Sequence, residues 1–214
     1  MSIPGNTLTL ETTKGAVVIE MRPELAPGHV AHIKRLVGEG FYDGVVFHRV
    51  IDGFMAQTGC PHGTGTGGSS YPDLKAEFND APHVRGAVSM ARASDPNSAN
   101  SQFFICFDDV GALDGKYTVF GEVVSGMDVV DQIKAGAADN NGAVDHPDKI
   151  VTLRLASDAK AKPDDAGTSD DKPKSEDKAK AKSKPKPKKT PASDATTAPD
   201  APAAEPTDAP SSQD

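Results

Sequence analysis

Leu155 divides this chain into two segments that cannot fold in the same way. After it the sequence contains no Val, Ile, Leu, Met, Phe or Tyr, yet it holds 9 of the 17 prolines and 11 lysines. Such a segment cannot bury enough apolar surface to offset the conformational entropy that is lost on ordering. We therefore predict one folded domain over residues 1–155, long enough for a single core, and a disordered tail over residues 156–214.

The two segments also differ in charge. Residues 1–155 carry 12 basic and 19 acidic side chains, a net charge of −7, whereas residues 156–214 carry 11 and 12, a net charge of −1. An acidic folded domain argues against nucleic acid as its main partner. The lysine run over residues 178–189 is typical of a solvated spacer, with weak docking to an acidic partner as the alternative.

The sequence also favours a particular compartment. Two cysteines, Cys60 and Cys106, make no disulfide framework for a domain of this size. The first fifteen residues lack a basic segment followed by an apolar one, as a signal peptide would require. No apolar run is long enough to span a membrane. We expect a soluble, cytoplasmic protein.

Hydrophobic periodicity predicts many short strands and two helices. Residues 7–21 alternate, break at Lys14-Gly15 and then become apolar again, which indicates a hairpin. Apolar side chains at helical spacing predict one helix within residues 26–40 and a second over residues 126–136. Many short strands with only two helices indicate an antiparallel barrel or sandwich. Further strands are predicted within residues 86–91, 101–107, 117–124 and 148–155.

One segment, FHRVIDGFMAQTG over residues 47–59, places charged and amide side chains among apolar ones. A two-residue turn at Asp52-Gly53 would leave Arg49 and Gln57 on opposite faces of the hairpin. A three-residue turn with a bulge would put both on one face. The residues alone leave these alternatives open.

A glycine-rich segment, GTGTGG over residues 63–68, formally matches G-x-G-x-x-G. A dinucleotide site needs that pattern between a strand and the N-terminus of a helix. Here Ser-Ser-Tyr-Pro follows, so no helix is expected at the last glycine. We interpret the segment as a flexible surface loop, and we expect no nucleotide cofactor.

Metal chemistry and covalent catalysis are both disfavoured. No cysteine or third histidine lies at a metal-ligand spacing from His29 and His32, and a zinc site needs three or four convergent donors. Ser89 and Ser101 lie in strands without a nucleophile elbow. We interpret the histidines as solvated or capping residues; they are His29, His32, His48, His62, His83 and His146.

An apolar set remains beside Arg49 and Gln57. From periodicity alone, these apolar residues are more simply core residues, and Arg49 a strand-surface charge paired with a carboxylate. The apolar set consists of Phe54, Met55, Phe104 and Leu113.

Several long motifs occur together and in order: FHRVIDGFMAQTG, GTGTGG, SMARA, NSQFFICF and LDGKYTVFGEVVSGMDVV. Over residues 8–155 the chain thereby resembles the cyclophilins, peptidyl-prolyl cis-trans isomerases, in a compact bacterial form. The resemblance implies a closed eight-stranded antiparallel β-barrel capped by two α-helices, with the active site on its outer wall. It also implies an enzyme without a cofactor that catalyses cis-trans isomerisation of X-Pro bonds in flexible protein segments and assists folding. We expect this enzyme to be a monomer.

The matching motifs also imply roles for individual residues. Arg49 corresponds to the family's catalytic arginine and Gln57 to the glutamine that holds it, an adjacency that favours the bulged turn. The other matched positions surround the bound proline: Phe54, Met55, Phe104 and Leu113 form the pocket walls, Ala91 and Arg92 receive the peptide before proline through their backbone, Gln102 makes a polar contact, and Tyr117 lies at the rim.

The chain departs from the family pattern at the rim. Ala112 stands where many members have tryptophan, Tyr117 where many have histidine, and Arg92 where asparagine is frequent; one extra residue lies within residues 94–100. We therefore expect weak cyclosporin binding and an altered peptide preference, with the reaction retained. A proline-peptide binding module or chaperone without catalysis is the rival hypothesis, and the presence of Arg49 favours the enzyme.

Overall fold

The structure, a computed structural model, describes residues 5–157. The predicted tail lies outside this range except for its first two residues. Within the range, the predicted strands and helices are present. The strands are β1 (Thr7–Thr12), β2 (Gly15–Met21), β3 (Arg49–Ile51), β4 (Met55–Thr58), β5 (Ala87–Met90), β6 (Phe103–Cys106), β7 (Val119–Ser125) and β8 (Ile150–Leu155); the α-helices are α1 (Pro27–Gly38) and α2 (Met127–Val130).

All eight strands belong to one antiparallel sheet. Their order is β3-β4-β6-β5-β7-β2-β1-β8. The predicted first hairpin is confirmed, since Thr12 pairs with Gly15 across a two-residue turn. Right-handed twist between neighbouring strands curls a sheet of this width.

The prediction of a closed barrel is wrong, because the sheet is a curled half-barrel. In the described part of the chain, β3 and β8 form no ladder, and an isolated bridge between Val46 and Lys149 joins the segments before them. The free edge of β3 is instead occupied by residues 136–144, which we call the edge loop. Its backbone forms hydrogen bonds with both backbone polar groups of Val50. Val50 N–H donates to Gly142 O at 2.8 Å, and Val50 O accepts from Gly136 N–H at 2.9 Å. Those groups are therefore not available to β8.

The two helices differ in length. α1 begins at Pro27, whose fixed φ suits a first helical position, and the carboxylate of Glu77 accepts the N–H groups of Gly28 and His29 at 3.0 Å each. α2 has four residues and is shorter than predicted; the chain then turns at residues 131–132 and reaches the edge loop at Gly136. Neither described helix has the length and apolar character that a membrane span requires.

Apolar side chains form two separate clusters on opposite faces of the same strands. Successive residues of a strand face opposite sides. The inner cluster, the main core, lies against α1 and includes Ile33, Val50, Val88, Phe103, Ile105 and Phe120. The outer cluster lies on the other face of β4, β5 and β6 and consists of Phe54, Met55, Ala87, Ala91, Phe104, Cys106, Leu113 and Tyr117.

Candidate active site

The turn between β3 and β4 brings Arg49 and Gln57 together. Arg49 pairs directly with Gln57 and Ile51 with Met55, so three residues lie in the turn. Gly53 has φ +67° there, in the left-handed region that glycine adopts without steric cost. The three-residue alternative is therefore confirmed, and the two-residue turn is wrong.

Arg49 is buried, with 7% of its surface exposed, and is not an exposed strand-surface charge. Its Nε donates to the backbone oxygen of Asn141 at 3.0 Å, and its Nη2 donates to Asn141 Oδ1 at 2.8 Å. Its Nη1 lies 3.4 Å from Gln57 Oε1 and 3.9 Å from Met55 Sδ. The guanidinium plane is thus held at the edge of the outer cluster.

Sequence reasoning missed Asn141, which is 92 positions away from Arg49. The only available signal was an Asn-Asn-Gly sequence typical of a tight turn.

A chain of hydrogen bonds continues from Gln57 into the glycine-rich loop. Gln57 Nε2 donates to Gln102 Oε1 at 3.0 Å, and Gln102 Nε2 lies 2.8 Å from the carbonyl oxygens of both Gly65 and Gly67. The loop was interpreted from sequence as a flexible surface segment. In the structure its carbonyl groups fix Gln102, so the loop is connected to Arg49 through two amide side chains.

The apolar site residues predicted from the resemblance all lie in the outer cluster. Met55 and Phe104 are almost completely buried, each with 1% exposed, while Phe54, Leu113 and Tyr117 each expose between 5% and 9% of their surface. The rings of Phe104 and Tyr117 meet edge to face at 5.9 Å between centroids. A ligand would therefore meet a shallow apolar surface whose floor is Phe104.

The predicted peptide-contact residues lie at the rim of that surface. Ala91 belongs to the outer cluster. The Arg92 guanidinium lies 4.6 Å from the Tyr117 ring centroid and is held by the carbonyl groups of Ala93, Ser94 and Lys116. In the described part of the chain, the backbone N–H of Arg92 has no hydrogen-bond partner. It is thus a donor that an extended peptide could use.

A polar network that the sequence did not predict lies against Phe104; its His83 and Ser89 are buried, whereas Asp114 is 44% exposed. His83 Nδ1 lies 2.9 Å from Asp114 Oδ1, and His83 Nε2 lies 3.0 Å from Ser89 Oγ. The imidazole stacks on Phe104 with 6.1 Å between ring centroids. Burial lowers the pKa of His83, and the backbone N–H of His83 lowers the pKa of Asp114. These distances fit a neutral imidazole that donates to Asp114 and accepts from Ser89.

These three residues have the order of hydrogen bonds of a catalytic triad, but not its accessibility. Ser89 is fully buried, with 0% exposed, and its strand neighbours in β6 include Phe104. No substrate carbonyl can reach its Oγ, so the arrangement cannot act as a hydrolase site. In the outer cluster, burial raises the pKa of Cys106 to about 12, which leaves a protonated and unreactive thiol.

The interpretation of the histidines as solvated or capping residues is wrong for most of them. His29, His32, His48 and His83 are buried. Neither ring nitrogen of His48 has a hydrogen-bond partner in the described residues, and burial lowers its pKa to about 4. Across residues 5–157, no group of three or more His, Cys, Asp or Glu side chains is arranged to hold a metal ion.

Comparison with protein-family models gives one match over most of the chain. The model described as "Cyclophilin type peptidyl-prolyl cis-trans isomerase/CLD" matches residues 7–155. A Brucella suis protein named "Probable peptidyl-prolyl cis-trans isomerase" is 58% identical over 168 residues, covering 73% of this chain and 86% of its own length. A peptidyl-prolyl cis-trans isomerase from Synechococcus elongatus is 43% identical over 150 residues, covering 70% and 96%.

Solved structures give the same similarity. A cyclophilin from Hirschia baltica superposes with a TM-score of 0.66 at 32% identity, covering 73% of this chain and 76% of that one. A cyclophilin-type isomerase from Cryptosporidium parvum, determined in the presence of the dipeptide Ala-Pro, has a TM-score of 0.66 at 29% identity, covering 71% and 99%.

Proposed function

The chain belongs to the cyclophilin-type peptidyl-prolyl cis-trans isomerases, and we propose that Arg49 accelerates its reaction by stabilising the twisted X-Pro bond. The observation that carries this proposal is the position of Arg49. A buried guanidinium, held by Asn141 and Gln57, lies at the edge of an apolar cluster on the outer face of the sheet.

The reaction needs neither a nucleophile nor a cofactor. Resonance gives the peptide C–N bond double-bond character and a rotation barrier of about 18–20 kcal/mol. For X-Pro the two planar forms differ by only about 0.5–1 kcal/mol. A catalyst therefore has to bind the twisted amide better than either planar form, and no bond has to be made or broken.

Twisting returns a lone pair to the prolyl nitrogen and changes where charge lies along the backbone. A preorganised guanidinium can donate to that nitrogen and to the carbonyl group that follows proline. Arginine suits this role because it stays charged and presents a planar set of donors. Phe54, Met55, Phe104 and Leu113 would hold the pyrrolidine ring, and the backbone at Ala91 and Arg92 would hold the preceding residues.

The amide side chains and Tyr117 have supporting roles in this proposal. Gln57 would orient Arg49, and Gln102 would orient Gln57 while it contacts the peptide, since the three side chains form one hydrogen-bonded chain. Tyr117 would close the rim beside Phe104, with Arg92 covering its other side.

Exchange NMR on a short Ala-Pro peptide, with and without the full-length protein, tests the proposal. We expect cis-trans exchange to become fast in the presence of catalytic amounts of protein. Peptide binding without faster exchange would instead support the rival hypothesis of a proline-peptide binding module.

We also propose that the protein acts as a cytoplasmic monomer on proline-containing flexible segments and binds cyclosporin weakly. Two free, buried cysteines suit a reducing compartment. Within the described residues, few large apolar side chains are exposed, which suits a monomer. Cell fractionation and light scattering of the purified protein test the first two points. Sedimentation of the protein with membranes, or the mass of a stable dimer, would contradict them.

A further inference from the structure

We propose that Asn141 is the residue that positions Arg49 for the reaction, with Gln57 in a secondary role. This inference rests on the proposed function of Arg49 and assigns to the edge loop a part in that function. Three observations carry it: the bonds between Asn141 and Arg49, the attachment of the edge loop to β3, and the exposure of Asn141.

Arg49 donates shorter hydrogen bonds to Asn141 than to Gln57. Asn141 accepts from Nε at 3.0 Å through its backbone oxygen and from Nη2 at 2.8 Å through Oδ1. Nε and Nη2 form one edge of the planar guanidinium, so two bonds to one residue fix both its position and its rotation. The hydrogen bond to Gln57 is 3.4 Å, longer than the usual N–H···O distance and therefore weaker.

The acceptor is also chemically suited to its task. A carboxylate at the same place would hold the guanidinium more strongly, but its charge would offset the positive potential that the twisted amide is proposed to use. A neutral carbonyl and a neutral amide orient the group and leave its net charge unchanged.

The edge loop places Asn141 rigidly relative to Arg49. Backbone bonds join Gly136 and Gly142 to Val50, the residue next to Arg49 in β3. Gly142 permits the close approach, since a Cβ there would lie 2.4 Å from Ile51 Cγ1. Asn141 itself has φ +50°, a left-handed conformation that asparagine tolerates better than most residues. The strand that carries Arg49 therefore also holds the loop that orients it.

Replacing Asn141 by glycine separates positioning from stability. Asn141 is exposed, so Asn141→Gly removes little packing, and glycine adopts φ +50° without steric cost. The variant loses the Oδ1 acceptor and retains the backbone one. We expect kcat for an Ala-Pro peptide to fall about 10- to 100-fold, KM to change less than twofold, and the melting temperature to stay the same or rise.

Two further variants sharpen the test. Asn141→Asp keeps an acceptor but adds a negative charge, and we expect it to fail to restore the rate. Asn140→Gly adds flexibility to the edge loop at an exposed neighbour whose backbone bonds go to Ala137 and Ala143, and we expect it to retain full activity. In an Arg49→Ala background, Asn141→Gly should have no further effect, because the interaction it removes is already absent.

The outcomes distinguish this inference from the proposed function. If the unmodified protein fails to accelerate exchange, the proposed function is wrong. The NMR signals of the Arg49 Nη2 protons, which donate to Asn141 Oδ1, then still test the positioning: their hydrogen exchange with water should be slow in the unmodified protein and faster in Asn141→Gly. If the unmodified protein is active and Asn141→Gly matches it, or if Asn140→Gly loses as much activity, Asn141 is not the positioning residue.

Discussion

Phe103 and Phe104 are neighbours in β6, yet they belong to different clusters of the molecule. Phe103 lies in the inner cluster, and Phe104 forms the floor of the outer one. Both are almost completely buried, with 2% and 1% exposed. Burial alone therefore does not distinguish a residue that maintains the fold from one that we propose serves the reaction.

The residues around the two clusters do distinguish them. On the inner face, β3 to β6 present mainly apolar side chains to the core; the exception is Thr58 at the end of β4, whose hydroxyl donates to Val46 O. On the outer face, the same strands bury Arg49, Gln57 and Ser89. Burying a guanidinium or an amide is costly unless its hydrogen bonds are made, so a face that served stability alone would not contain them. The outer face thus gives up stability to hold polar groups in fixed positions.

The largest expected effect comes from removing the charged group of the outer face. Arg49→Ala should lower the isomerisation rate about 100- to 1,000-fold, about 3–4 kcal/mol, because one preorganised donor to the twisted amide is lost. Peptide affinity should change far less. Arg49→Lys should restore little, because an ammonium group cannot reproduce the planar set of donors.

Peptide exchange NMR on variants with unchanged circular dichroism measures these rates. Since the proposed mechanism uses no general acid or base, the rate should show no steep pH dependence near neutrality. An Arg49→Ala protein with near-normal exchange would remove the functional difference between the two faces.

The paired variants Phe103→Ala and Phe104→Ala test the comparison most directly. Phe103→Ala should cost about 3–5 kcal/mol of unfolding free energy, with activity per folded molecule unchanged. Phe104→Ala should also destabilise, and should additionally weaken peptide binding and lower the rate per folded molecule. Urea unfolding measures the loss of stability. Exchange NMR without denaturant, at a temperature at which each variant is fully folded, measures the loss of activity separately. Equal loss of activity per folded molecule in both would show that the clusters are not functionally distinct.

A third expectation concerns His48, which is buried and whose two ring nitrogens have no hydrogen-bond partner among the described residues. Its pKa is about 4 in the folded protein, below the ordinary value of 6.5, chiefly because of burial. Because the unfolded chain binds a proton at His48 more readily than the folded protein does, the free energy of unfolding is at its full value above pH 6.5 and decreases as the pH falls towards 4. The loss amounts to about 3 kcal/mol, and His32 and His83, whose pKa values are also lowered by burial, add to it.

His48→Phe should reduce this dependence, as measured by urea unfolding between pH 7 and pH 4.5. His146→Gln, at a site where the side chain is 88% exposed, serves as the control and should leave the dependence unchanged. A His48→Phe protein that loses stability with acid as steeply as the unmodified protein would contradict the assignment.

A smaller effect is expected at the rim, where Ala112 is exposed beside Leu113. Ala112→Trp should increase cyclosporin affinity, because an indole adds apolar area and an N–H donor. Isothermal titration calorimetry measures this gain, and catalysis of small peptides should hardly change. Tight inhibition of the unmodified protein would contradict the prediction that it binds cyclosporin weakly.

No effect is expected from removing the residues after Ala156, which include no apolar side chain larger than proline. A chain ending there should keep its melting temperature and its exchange rate. A substantial loss of either would mean that those residues contribute to the domain.

The sequence predicted most of the strands and both helices, because alternation and helical spacing are local signals. It predicted the Arg49–Gln57 adjacency only through the resemblance, since turn length was ambiguous from the residues alone. It missed Asn141 and the His83 network, whose partners are far apart in the chain and have no distinctive spacing. It also missed that the sheet does not close, because closure depends on whether β8 or the edge loop pairs with the edge of β3, and both are far from β3 in the chain.

The edge loop has a consequence for how the protein meets its clients. A β-strand edge with unpaired N–H and C=O groups captures other extended chains as additional strands. A folding catalyst encounters such chains constantly, and one that added them to its own sheet would retain them and seed aggregates. Because residues 136–144 occupy the edge of β3 beside Arg49, an extended polypeptide can contact this side of the enzyme through its side chains and depart without becoming part of the sheet.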